Sequence, residues 1–185
     1  VILLPAVFSF ILYYTNEDKG AAAEVVLVQP NIDPYNEKFD GMPVEEQLKK
    51  MLMLGESLVT DHTDYIVGPE TAISTGFWEE DLYTHPVMIS LDSYIASRPN
   101  LKLVIGASTF VEYKEGEKRS ATVRHMKGSD TYYDSYNTAL QIDSSAVTQV
   151  YHKSKLVLGV ETMPFPGLLS FIGDWAFDLG GTSGS

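Results

Sequence analysis

The sequence predicts an α/β domain, and three features of the chain indicate this class. Short β-branched runs alternate with longer segments whose apolar residues recur at helical spacing. The resulting order of strand, helix, strand, helix, strand is typical of an α/β layer built on right-handed crossovers. With 185 residues, 44% of them hydrophobic and 21% charged, the chain also has the length and balance of a domain with a substantial core.

The first half of the domain contributes three predicted strands and two predicted helices. Apolar runs rich in β-branched side chains predict buried strands at 24–30, 65–67 and 101–107. Apolar residues at every third or fourth position predict a helix over 43–59. A second helix is expected over 81–97, with Pro86 as an alternative start, because proline is favoured at the first helical position.

The second half predicts a hairpin. The polar stretch 113–132 is expected to be a mobile hairpin or insertion. Two strand-like runs then flank the turn-forming residues 143–145, which predicts paired strands over 132–142 and 146–151. A short helix is expected at 168–177.

The first fourteen residues carry no charged side chain. A bilayer core needs about 20 apolar residues, so this run is too short to span it alone. Because the chain begins with Val1 rather than Met, we expect residues 1–15 to be the end of a transmembrane helix, residues 16–22 a linker, and residues 23–185 the domain. The alternative is that the first residues form a buried core helix or strand.

Charge and composition limit the partners and cofactors. The formal net charge of −12 and only 13 Lys and Arg residues argue against nucleic acid binding. The absence of cysteine excludes disulfides and thiolate metal sites. The four histidines show no ligand spacing, so we predict no metal and no cofactor, and the acidic residues 79–81 are expected to form a charged first helical turn.

Three charged residues that follow strand-like runs are candidates for chemistry. Glu70 follows a strand and Pro69, where apolar neighbours are expected to desolvate the carboxylate and make it a useful general base. Lys153 closes the last predicted strand, where its ammonium can stabilise an oxyanion, and Lys155 is a rival for that role. Glu161 can pair with Lys153 and orient it. Taken singly, each of these residues is equally consistent with a surface charge.

Together these segments resemble the nitrilase superfamily. More narrowly, the segments 26–32, 136–140 and 151–157, followed by Glu161, resemble the apolipoprotein N-acyltransferase family over about residues 23–185. The resemblance implies an α-β-β-α sandwich, incomplete in this chain and preceded by membrane helices. It implies that Glu70 is the general base, Lys153 the oxyanion-stabilising lysine and Glu161 a supporting glutamate. Phe39 falls where the family places a substrate-facing aromatic residue; the alternative is a loop aromatic packed on the core.

The sequence departs from that family at the pocket and at the nucleophile. Gly68 stands where a large side chain is usual, and residues 158–160 replace a proline, an aromatic residue and a glycine. The family's catalytic cysteine lies on a later strand, so we expect a truncated domain whose cysteine follows Ser185.

The resemblance also implies a reaction and a location. The acyl chain of a phospholipid would pass through a cysteine thioester to the N-terminal diacylglyceryl-cysteine of a lipoprotein, on the periplasmic side of a bacterial inner membrane. Two alternatives stay open: a soluble nitrilase-type amidase, and a catalytically silent, membrane-tethered domain that binds a lipid or a peptide.

Overall fold

The described part of the chain forms a mixed α/β fold around a seven-stranded sheet. The computed structural model of the chain describes residues 3–17, 20–33, 41–120, 122–145 and 147–155. The helices are α1 (Leu3–Thr15), α2 (Val44–Glu56) and α3 (Pro86–Ala96), with a 3₁₀ turn at Glu79–Asp81. The strands are β1 (Glu24–Leu27), β2 (Thr63–Val67), β3 (Ile73–Trp78), β4 (Lys102–Glu112), β5 (Arg124–His125), β6 (Tyr132–Ile142) and β7 (Gln149–His152).

The sheet combines a parallel half with an antiparallel half. Strands β1, β2 and β4 are parallel neighbours, and β3 is parallel to β4. Strand β6 pairs antiparallel with β4, β5 and β7. The predicted α/β class and the predicted hairpin of β6 and β7 are therefore confirmed, whereas the second sheet of a sandwich stays a prediction.

One face of the sheet packs on α2 and α3 and forms the core. Ile66, Leu103, Ile105 and Leu140 from three adjacent strands are almost fully buried on this face, together with Met88 from α3. Each buried side chain of this size stabilises the fold by about 1.5–3 kcal/mol relative to an exposed one. The core therefore fixes the sheet on the side opposite the site described below.

Both core helices begin near a proline. The predicted apolar face of α2 is buried at Leu48 and Met51, but the helix ends at Glu56, so the predicted continuation to residue 59 is wrong and Leu58 is exposed. Helix α3 begins at Pro86 rather than at residue 81. Proline suits the first helical position, because its missing N–H has no helical acceptor there in any case.

Two segments differ from expectation. Strand β3 was not predicted, since its pairing with β4 is irregular and Gly76 weakens its strand signal. The polar stretch 113–132 contains β5, and the Arg119 guanidinium lies 3.3 Å from the centroid of the Tyr132 ring, so part of this stretch is held against β6. The helix predicted at 168–177 lies outside the described residues.

Helix α1 is apolar and exposed along its length. None of its residues is buried, and it carries no charge. Across the described ranges, no helix is both long enough and apolar enough to cross a membrane. The predicted transmembrane helix is therefore not shown by the structure.

Hydrogen bonds at the surface between the end of α2 and the end of α3 are expected to make the free energy of unfolding depend on pH in the acid range. The Arg98 guanidinium donates to Glu56 at 2.6 Å and the Tyr94 hydroxyl donates to it at 2.5 Å. These hydrogen bonds lower the pKa of Glu56 below its ordinary value of 4.5, and the bond from Arg98 has the largest effect. A carboxyl whose pKa is lowered by folding stabilises the fold above its ordinary pKa and loses that contribution as pH falls through the folded value.

We therefore expect the difference in free energy of unfolding between the wild type and Glu56→Gln to shrink between pH 6 and pH 3. Urea unfolding at several pH values measures this difference. Glu45→Gln removes an exposed carboxylate from the same helix and is the control for the loss of one negative charge. A difference in free energy of unfolding that stays constant between pH 6 and pH 3 would contradict the lowered pKa of Glu56.

Candidate active site

Three polar side chains from distant parts of the chain meet beside the end of β2. Glu70 lies in the loop after β2, Asn137 in β6, and Lys153 directly after β7. The Lys153 Nζ atom lies 3.1 Å from Glu70 Oε1, and the Asn137 side-chain amide donates to the same oxygen. Two donors on one oxygen fix the orientation of the carboxylate. The fold thus brings together the predicted pair of Glu70 and Lys153.

The three side chains border an open cleft of about 290 Å³. About 60% of the Glu70 side chain and 30% of the Lys153 side chain are exposed. The expectation that apolar neighbours desolvate Glu70 is therefore wrong for the described residues. The cleft instead leaves the carboxylate accessible, and its walls include Gly68, Val104, Gly106 and Tyr151.

The geometry favours Lys153 over Lys155 as the lysine of the site. The Lys153 backbone N–H donates to the Asn137 carbonyl at 2.8 Å, which continues the pairing of β7 with β6 by one residue. The side chain of Lys153 therefore leaves the strand on the same face as Asn137. Lys155 lies two residues farther on and is exposed.

The loop that carries Glu70 lies directly on β4 at Gly106. The Gly106 N–H donates to the Pro69 carbonyl at 3.2 Å. A Cβ at Gly106 would lie 2.7 Å from Glu70 Cα and 2.5 Å from the Thr71 nitrogen. Only glycine permits this approach of two backbones, so Gly106 sets how closely Glu70 lies to the sheet.

Gly68 has a comparable explanation, which accounts for its departure from the family pattern. A Cβ at Gly68 would lie 2.7 Å from the sulfur of Met51. Met51 is fully buried in α2. In this chain the methionine therefore occupies the space that a larger residue at position 68 would need.

Thr71, directly after Glu70, has a left-handed backbone. Its φ is 52°, a region that β-branched residues rarely adopt and that costs roughly 1–2 kcal/mol. Strained backbone of this kind clusters at functional sites, where the surrounding structure holds it in place. The strain thus points to the loop around Glu70 independently of the charged residues.

A second polar cluster lies on the opposite face of the sheet. His152 Nε2 lies 2.6 Å from Glu79 Oε1, and the Thr109 hydroxyl donates to the same oxygen at 2.7 Å. Thr109 and Thr138 are buried, and their hydroxyls lie 2.6 Å apart. Residues 79–81 do form the predicted charged helical turn, but it is a 3₁₀ turn separate from α3, and the Glu79 carboxylate lies against His152.

Asn137, His152 and Glu79 were not predicted as site residues. Asn137 lies in a segment that carries the family resemblance, and that is the signal that could have identified it. The turn predicted at 143–145 would place Asn137 opposite Tyr151, whereas the structure places it opposite Lys153. Phe39 and Glu161 lie outside the described residues, and their roles stay predictions. Within the described ranges no group of His, Asp and Glu side chains could hold a metal ion.

These groups suit acyl chemistry. A carboxylate can accept the proton of a nucleophile, and a lysine ammonium beside it can stabilise the oxyanion that forms at an attacked carbonyl. A mixed α/β sheet that presents both at one open cleft has two of the parts of an acyl-transferring or amide-cleaving enzyme. A nucleophile is the third part.

The chain is similar in sequence to a known acyltransferase. No family model matches the chain. The chain is 30% identical over 169 residues to the apolipoprotein N-acyltransferase of Chlorobaculum tepidum, an alignment that covers 90% of this chain and 30% of that protein. The chain is therefore similar to an apolipoprotein N-acyltransferase, as its sequence motifs predict. It spans about 30% of the length of this curated relative.

Two of the solved structures that resemble part of the chain are enzymes. Glutamine-dependent NAD+ synthetase from Acinetobacter baumannii gives a TM-score of 0.39 at 19% identity, over 74% of this chain and 22% of that one. An N-terminal amidase gives a TM-score of 0.45 at 16% identity, over 72% of this chain and 28% of that one.

We expect Gly106→Ala to destabilise the fold by about 1–3 kcal/mol, the usual cost of inserting a methyl group where there is no space. The new Cβ would meet backbone atoms of residues 70 and 71, which cannot move aside as a flexible side chain can. Urea unfolding measures the change. Gly20→Ala is the control, since its Cβ would meet nothing within 4 Å. Equal unfolding free energies for the two variants would rule out the close approach.

We expect Thr71→Gly to leave the free energy of unfolding nearly unchanged, because the relief of left-handed strain offsets the entropy cost of glycine, about 1 kcal/mol. Thr75→Gly, at an exposed position of β3, has no such relief and should destabilise by about 1 kcal/mol. The same urea experiment compares them. An equal loss in both variants contradicts the strain at Thr71.

Proposed function

We propose that this chain supplies the general base and the oxyanion-stabilising lysine of an apolipoprotein N-acyltransferase. The observation that carries the proposal is the contact of Lys153 Nζ with Glu70 Oε1 at 3.1 Å in an open cleft. The 30% identity with the Chlorobaculum tepidum enzyme supports acyl transfer as the reaction. The proposed substrates are a phospholipid acyl donor and the N-terminal diacylglyceryl-cysteine of a lipoprotein.

The proposed reaction has two halves and needs a cysteine outside these 185 residues, since the chain has none. Glu70 first accepts the thiol proton, and the thiolate attacks the phospholipid ester carbonyl while Lys153 stabilises the oxyanion. The ester C–O bond breaks, and the lysophospholipid takes the proton from Glu70. In the second half the lipoprotein α-amine attacks the thioester and gives its proton to Glu70. The C–S bond breaks, and the leaving thiolate takes that proton, which restores the thiol.

Lipid substrates agree with the exposed apolar helix at the start of the chain. The side chains of α1 are uncharged and largely exposed, with Leu3 and Leu4 about 80% exposed. With a formal net charge of −12, attachment to an anionic membrane depends on burial of such apolar surface. We propose that the domain lies on the periplasmic side of a bacterial inner membrane, that Glu161 supports Lys153, and that Phe39 faces the substrate.

The test uses the intact protein that contains this chain. Phospholipid vesicles and a diacylglyceryl-cysteine peptide are incubated with it, and the N-acylated peptide is measured by mass spectrometry. We expect Glu70→Gln to lower the rate by about 10²- to 10⁴-fold, because glutamine cannot accept the proton. Lys153→Met should lower it by about 10²- to 10³-fold, because the oxyanion loses its cation.

Matched variants keep the test specific. Glu80→Gln and Lys155→Met remove the same charges at exposed neighbouring positions and should keep the wild-type rate. Equal losses of rate in these controls would mean that the change in net charge, rather than the loss of a site residue, slows the reaction. Release of ammonia from small amides without acyl transfer would favour the amidase. Vesicle binding without turnover would favour a silent binding domain.

A further inference from the structure

The two polar clusters on opposite faces of the sheet are built from consecutive residues. Asn137 and Lys153 face the cleft, while Thr138 and His152 face the other side. Thr138 and His152 are directly paired in the β6–β7 ladder, and the Lys153 N–H donates to the Asn137 carbonyl at 2.8 Å. Because neighbours on a strand are one backbone step apart, a movement of His152 moves Lys153 as well.

Within the part of the chain that the structure describes, β7 has little support besides β6. The strand has four residues, and three of them, Gln149, Val150 and Tyr151, are exposed. Its pairing within the described residues is with β6 alone. A short strand with so little burial is at the low-stability end of a fold, where local opening costs little free energy. Side-chain contacts of His152 therefore weigh heavily in the order of this strand end.

Those contacts form a directed chain of hydrogen bonds. An ionised Glu79 carboxylate only accepts, so His152 carries its hydrogen on Nε2 and donates it to Oε1. Thr109 uses its single hydroxyl hydrogen on the same oxygen, so the hydroxyl of Thr138 donates to Thr109. Each buried hydroxyl is thereby satisfied.

The His152 ring is also held by stacking. It lies on the ring of Tyr136 with centroids 3.8 Å apart and planes 6° apart. Two independent contacts, one polar and one aromatic, therefore fix the side chain.

We propose that His152 and Glu79 are positioning residues. Their hydrogen bond, on the face of the sheet opposite the cleft, holds the backbone so that Lys153 lies within reach of Glu70. The inference rests on the proposed function for its effect on acyl transfer. Its structural half, that the bond orders the backbone at Lys153, stands on the geometry and can be tested without any substrate.

The structural half is tested by hydrogen exchange at the Lys153 amide, followed by NMR in the 185-residue chain. His152→Phe keeps the stacking on Tyr136 and removes the donor, whereas His152→Gln keeps a donor at the equivalent position and removes the ring. We expect exchange to be about tenfold faster in His152→Phe and close to wild type in His152→Gln. The amide of Ile105, in the core, should exchange as in the wild type in all variants and shows that the fold is retained.

His125→Phe is the matched control, because this histidine also lies against a tyrosine ring, that of Tyr132, at 4.6 Å between centroids. It should leave the Lys153 amide unchanged. Glu79→Ala tests the same bond from its other end and should also speed exchange, whereas Glu80→Ala should not. Wild-type exchange at Lys153 in both His152→Phe and Glu79→Ala would overturn the inference.

Acyl transfer by the intact protein separates this inference from the proposed function. We expect His152→Phe to lower kcat by about 10²-fold with KM unchanged, the pattern of a misplaced transition-state group, and His152→Gln to restore most of it. If the wild type transfers no acyl chain, the proposed function fails. Hydrogen exchange still tests whether the His152 side chain orders the backbone at Lys153. Faster exchange with unchanged transfer would overturn the positioning role.

Discussion

The antiparallel pairing of β4 with β6 is the constraint on which both polar clusters depend. It runs without interruption from Leu103 opposite Ile142 to Glu112 opposite Tyr133. Side chains alternate between faces along both strands, so this register sorts them into a core set and a cleft set. A slip of one residue would bring Asn137 to the helix side and Thr138 to the cleft, which would break both clusters at once.

At the cleft, the backbone adopts a conformation that its own residues disfavour and that the surrounding structure holds in place. Glu70 lies between two unfavourable backbone features, the tight contact of its loop with Gly106 and the left-handed conformation of Thr71. Local conflicts of this kind are expected at functional sites, where the rest of the fold supplies the stability that they cost.

The parallel strands β1, β2 and β4 and the core helices could be predicted because their signals are local, such as β-branched runs and the spacing of Leu48 and Met51. The partners of Glu70 could not be predicted in the same way, since Asn137 and Lys153 lie 67 and 83 residues away in sequence. The predicted hairpin came close to this pairing. A turn centred on Ser144 would place Asn137 opposite Tyr151, whereas in the observed ladder Thr138 pairs with His152, which brings Asn137 opposite Lys153. Glu79 gave no such signal, because acidic residues ahead of a helix are common.

The exposure of the cleft agrees with the roles proposed for Glu70 as general base and for Lys153 as the group that stabilises the oxyanion. An ion pair so exposed contributes at most about 1 kcal/mol, so Lys153 can turn from the carboxylate to another anion at little cost. A preorganised donor to an oxyanion contributes about 2.7–4 kcal/mol in the transition state. Only the difference between ground state and transition state accelerates a reaction, so a weak resting pair favours catalysis. The precise placement of Lys153 must then come from the backbone ladder and the contacts behind it, rather than from its attraction to Glu70.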